Sequence, residues 1–124
     1  MNCVVSHKIV NSEEKIIKNN ISATYEKNIL KYKSDEDHIK LTISRDNIIM
    51  TKDNLSSETI LNFIEGKKTT SQYKIKLLNS IIDISVLTNK LQISSDRIYI
   101  EYEIWFDLEY SGKFIYELNI REMK

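Results

Sequence analysis

The stretch RIYIEYEIWFDLEY, residues 97–110, alternates without a break. One register reads Ile98, Ile100, Tyr102, Ile104, Phe106, Leu108 and Tyr110 and carries no charge. The other reads Arg97, Tyr99, Glu101, Glu103, Trp105, Asp107 and Glu109 and is mostly charged. A period of two means a β-strand with one dry face and one wet face. Read as one strand, the segment is more than twice the usual length of about 5–6 residues. Strands that long coil around a closed barrel more readily than they lie flat. Closure also removes sheet edges, which a chain with no proline has few means to blunt. The dry face then encloses either other side chains or a ligand.

The same period recurs along most of the chain. Val5 and His7 alternate with Val4 and Ser6, and Ile21, Ala23 and Tyr25 with Ser22, Thr24 and Glu26. Leu30 and Tyr32 share a face, as do Ile39, Leu41 and Ile43. Ser71, Tyr73, Ile75 and Leu77 oppose Gln72, Lys74 and Lys76, and Phe114, Tyr116, Leu118 and Ile120 oppose Ile115, Glu117, Asn119 and Arg121. Turns are expected at Lys27-Asn28, Arg45-Asp46-Asn47, Asn79-Ser80, Asn89-Lys90, Ser95-Asp96 and Ser111-Gly112, whose residue types tolerate turn backbones. One helical turn is expected within residues 13–18, and no stretch sustains a 3.6-residue period. Many antiparallel strands joined by tight turns mean a sandwich or a barrel, and the length of the longest favours the barrel. The expectation is all-β: a single antiparallel up-and-down β-barrel of about 8–10 strands, with little or no helix. With no linker or low-complexity tract, residues 1–124 read as one domain.

Composition removes several functions. Eighteen basic and eighteen acidic residues cancel, which argues against nucleic-acid binding and against a polybasic membrane anchor. The start MNCVVSHKIV lacks the pattern of a signal peptide, and no segment is long and apolar enough for a membrane span, so a cytoplasmic protein is expected. The single cysteine, Cys3, supplies neither an internal disulfide nor a metal cluster. His7 and His38 lie far apart, in a terminal and a polar context, with no spacing that builds a metal site or a catalytic triad. Two glycines, Gly66 and Gly112, cannot form a phosphate loop. No catalytic residue, metal or cofactor is expected.

The acidic register of 97–110 reads as a solvated exterior opposite lysines such as Lys74 and Lys76, with Trp105 in need of cover. Indoors, several aromatics bring hydroxyls that must find partners. A small barrel is wide enough either to be filled by side chains or to hold one small ligand. Solid packing is the default, while the number of tyrosines favours an apolar pocket with a few hydroxyls.

The run FIEGKKTTSQY and the later IYIEYEIWFDLEYSGKFIYELNIRE resemble the YwiB-like family of small uncharacterised bacterial proteins. The pattern that carries the likeness falls on Phe63, Gly66, Lys67, Ser71, Tyr73, Thr88, Tyr102 and Gly112. A turn of the form Ile43-Ser44-Arg45-Asp46-Asn47 matches as well, with Asn where the family has Gly. One departure is plain: Tyr73-Lys74-Ile75-Lys76-Leu77-Leu78-Asn79 stands where the family has a Thr- and Pro-containing hairpin. The resemblance implies a calycin, lipocalin-type barrel with a cavity at its mouth. On this reading the chain binds, without catalysis, a small hydrophobic or amphipathic ligand that can carry an acidic group. Tyr73, Tyr102, Phe106 and Tyr116 are expected to line the pocket, and Arg45 and Lys67 to guard its rim. The rival is a protein–protein interaction module with a solid core, making contact through the exterior near Trp105.

Overall fold

The alternation becomes ten strands in the computed structural model, which describes residues 1–123. They are β1 (Asn2–Val10), β2 (Lys15–Glu26), β3 (Ile29–Ser34), β4 (Asp37–Ile43), β5 (Ile48–Asp53), β6 (Ser57–Phe63), β7 (Lys68–Ile75), β8 (Ser80–Ile93), β9 (Arg97–Phe106) and β10 (Glu109–Glu122). Each strand pairs with the next, and β10 returns to β1, so the sheet closes into an up-and-down antiparallel barrel. No helix occurs among the described residues. Residues 13–18 form no helical turn. Asn11 Oδ1 instead accepts from the backbone N–H groups of Glu13 and Glu14 and turns the chain into β2.

The turns at 11–14, 35–36, 54–56, 76–79 and 107–108 lie at one end of the barrel, here the upper end. Those at 27–28, 44–47, 64–67 and 94–96, with the start of β1 and the end of β10, lie at the lower end. Because side chains alternate, the inward face of each strand is its apolar register. In the lower half that register fills the lumen: Val5, Leu30, Leu41, Ile48, Phe63 and Ile98 are all 0% exposed. Burying each such side chain contributes about 1.5–3 kcal/mol. The barrel is a packed plug below and something else above.

Three expected features break differently. Residues 97–110 are not one strand: Asp107, with φ 54°, turns the chain at Asp107-Leu108, and Tyr110 comes back to pair with Trp105. Leu108 is therefore at the tip, 98% exposed, and Tyr110 lies outside the barrel. Ser111-Gly112 is not a hairpin turn. The pairing with β9 slips between Tyr110 and Gly112, a bulge made possible by Gly112 at φ 146°. Asn89 likewise marks a bulge within a continuous β8, between Thr88 and Lys90, and not a turn. The carboxylates of β9 also meet other lysines than expected. Lys90 lies opposite Glu101 and Lys113 opposite Glu103, while Lys74 faces Glu58 and Lys76 bonds Asp53.

Candidate functional site: the upper lumen

Above the plug the barrel holds a cavity of about 280 Å³. Its walls are aliphatic: Ile9, Ile39, Met50, Leu61, Ile84 and Ile104 point in from six strands. Toward the mouth stand Tyr73 and Phe106, packed edge to face with centroids 6.1 Å apart, beside Phe114. The charged groups on the lining, Glu14 and Lys52, belong to the rim: Glu14 is in an upper turn and Lys52 near the upper end of β5. Lys52 Nζ lies 3.5 Å from Asp37 Oδ2. A half-exposed pair of this kind adds little stability, but it keeps both charges at the entrance.

The cavity meets the plug at two tyrosines, Tyr102 of β9 and Tyr116 of β10. Tyr116 belongs to a buried chain of polar groups. Its hydroxyl lies 2.6 Å from that of Tyr32, which lies 2.9 Å from His7 Nδ1. The His7 and Tyr32 rings also meet edge on at 5.6 Å. Burial pushes the Tyr32 hydroxyl well above the ordinary phenol range, and its hydrogen bond to Tyr116 only partly offsets this. Burial, then the neighbouring Tyr32, raise Tyr116 still more clearly. His7 is pushed the other way: burial first, then the positive charges of Lys52 and Lys18, outweigh Asp35 and Asp37 and hold the imidazole neutral below its ordinary value.

Tyr102 is different. Its ring is fixed by stacking on Phe114 at 5.5 Å and by an edge contact with Phe63 at 4.8 Å. Its hydroxyl is raised by burial alone, with no side-chain hydrogen bond acting on it. Among the described residues, the one fully sealed side-chain oxygen or nitrogen without a partner is Thr88 Oγ1. The Tyr102 hydroxyl, also without a protein partner, therefore keeps contact with the open space of the cavity.

Four of the six residues expected at the site, Tyr73, Tyr102, Phe106 and Tyr116, line this cavity together. Phe106 does so from the mouth, where it is 38% exposed. Arg45 and Lys67 do not guard that mouth. Their turns, 44–47 and 64–67, are at the lower end, where the two line a separate surface groove with Asp46 and Glu65. The sequence places both at strand ends, but which end follows only from counting strands. The cation at the mouth is Lys52, in register with Ile48 and Met50. His7 was the other omission: it sits inside, 4% exposed, on the same face as Cys3 and Val5. That shared parity is the signal that would have found it. His38 is on the exterior.

Residues 4–120 match the family described as a domain of unknown function, DUF1934. The chain belongs to that family. In fold it is similar to the crystal structure of ywiB protein from Bacillus subtilis, with a TM-score of 0.67 at 12% identity, covering 99% of this chain and 91% of that one. No match was found among curated proteins. The family-like residues around Gly66 have a structural role here. Gly66, at φ 77°, donates its N–H to the Thr88 carbonyl at 2.7 Å, and the Thr88 N–H reaches the Lys67 carbonyl at 3.2 Å. This pair of bonds ties the 64–67 turn to the bulge in β8. Among the described residues no helix is long and apolar enough to cross a membrane, and no group of three or more His, Cys, Asp or Glu side chains is placed to hold a metal ion.

Proposed function

We propose that the protein is a non-enzymatic binding barrel that admits one small, largely apolar molecule through its upper end. The half-empty lumen carries this reading: the lower interior is occupied by fully buried side chains, while the upper interior leaves about 280 Å³ behind aliphatic walls. Small-molecule sites are apolar hollows with a few placed polar groups, typically of roughly 300–1,000 Å³. At about 280 Å³ this cavity lies just below that range. At about 30 Å³ per water it equals about nine waters, room for a compact molecule rather than a long-chain lipid. Catalysis finds little support, because the inward His7 is hydrogen-bonded to a tyrosine and not to an orienting carboxylate. The outward strand faces carry Lys31, Lys33, Lys40, Glu101 and Glu103. That is the reverse of a lipid-facing barrel and supports a soluble protein.

A second reading, contact with another protein, is favoured by Leu55, Leu77 and Leu108, each at least 88% exposed on three upper turns. Trp105 supports it less, since Lys68 Nζ sits 4.1 Å over its ring and Tyr110 packs against its edge. Native mass spectrometry of protein purified without detergent separates the two. The binding barrel should carry a reproducible small excess mass that denaturation removes and that Ile104→Trp, which fills the cavity, abolishes. A bare wild-type mass together with no uptake of small apolar probes would overturn it, and a discrete dimer or partner mass would favour the second reading.

A further inference from the structure

The polar groups of the cavity are sorted by depth. Charge stays at the mouth, on Lys52 and Glu14, with Asn11 of the same upper turn and Thr59 opposite Lys52 beside them, and the inner wall offers only phenols. Of the three tyrosines buried at the level of the plug, Tyr32 and Tyr116 satisfy one another. Tyr102, 6% exposed and clamped between two phenylalanines, has a hydroxyl left over. A phenol hydroxyl that has no protein partner and faces an apolar hollow is a ready hydrogen-bonding point for whatever fills that hollow. The contacts with Phe63 and Phe114 hold the ring on the inner wall. A phenol donates better than it accepts, so what the position lacks is an acceptor.

Charge on that acceptor is disfavoured. A carboxylate at this depth would need a cation beside it, since an unpaired ion in a dry interior is strongly disfavoured. Lys52 is at the entrance beside Asp37, and His7 is two hydrogen bonds away behind Tyr32 and Tyr116. We propose, resting on the binding-barrel reading, that the occupant is an uncharged molecule with a compact apolar body and a carbonyl-type oxygen, seated with that oxygen on the Tyr102 hydroxyl. The buried chain supplies a second contact of adjustable sense. With the proton on His7 Nδ1, the ring donates to Tyr32, Tyr32 donates to Tyr116, and the Tyr116 hydroxyl is free to donate into the cavity. With the proton on Nε2 the chain reverses, and the Tyr116 oxygen accepts from the ligand.

Three probes of similar shape test this by methyl NMR titration: acetophenone, its hydrocarbon isostere α-methylstyrene, and benzoate. Acetophenone should bind roughly 3–10-fold more tightly than α-methylstyrene, the worth of one net hydrogen bond, and benzoate should bind most weakly. Tyr102→Phe should erase the preference for acetophenone while leaving α-methylstyrene unchanged. If that variant fails to fold, the ranking on the wild-type protein still decides. Equal binding of acetophenone and α-methylstyrene, or tightest binding of benzoate, overturns the assignment of the acceptor while leaving the cavity reading intact. Failure of all three to bind overturns both.

Discussion

Lowering the pH should weaken this fold through one buried ring. His7 is enclosed by β1, β3 and β10, bonded through Nδ1 to Tyr32, and held neutral by burial and by Lys52 and Lys18. In the unfolded chain the same imidazole takes a proton near the ordinary value of 6.5. As pH falls through that value the unfolded state gains a proton that the native state does not, so stability is full above it and declines below. If the native ring stays neutral throughout, the loss between about pH 7.5 and pH 5.5 amounts to about 1.4 kcal/mol. That is a sizeable share of the roughly 5–15 kcal/mol typical of a domain. Urea unfolding at intervals across this range, on the wild type and on His7→Gln, isolates the effect. Gln can still bond Tyr32 but does not titrate, and the contribution of every other group is common to both proteins. The wild type should lose up to about 1.4 kcal/mol more than His7→Gln. Equal losses would refute the buried neutral imidazole, and a wild type that gains stability on acidification would show that the native ring is the one that protonates.

Two further substitutions test the plug. Thr88→Val removes the sealed hydroxyl that has no partner and should stabilise the fold by about 1 kcal/mol, seen as a higher urea midpoint with an unchanged slope; destabilisation would mean the oxygen is bonded in solution. Phe63→Ala, at a fully buried ring in contact with Tyr102, should cost about 3–5 kcal/mol in the same assay. A cost under about 1 kcal/mol would mean that the lower lumen is not densely packed.

Alternation in the sequence made the barrel legible because a period of two decides which face of each strand is dry, and closure follows from strands that are long and uncapped. The interior tyrosines were legible for the same reason: Tyr102 and Tyr116 lie in unbroken alternating runs. What the pattern hid were the breaks. Asp107 and Gly112 reverse and bulge the chain through backbone angles, without interrupting the alternation of residue types, so Leu108 and Tyr110 read as indoors and are outdoors. The ends of the barrel were hidden too. Arg45 and Lys67 look like rim residues locally, and only the parity of strand count sends their turns to the end away from the cavity. His7 and Lys52 share the dry register of their strands, but their polarity argued for the wet side until the cavity and its mouth gave each a place.

The most direct test of the half-filled barrel is a methyl NMR titration with toluene, an apolar probe small enough for the cavity. Shifts should concentrate on Ile39, Met50, Leu61, Ile84 and Ile104, which line the upper lumen. Leu30, Leu41, Ile48 and Ile98, in the plug below, should stay still. No shifts at any concentration, or shifts centred on the plug or on the exterior around Trp105, would contradict a ligand-sized space at the upper end.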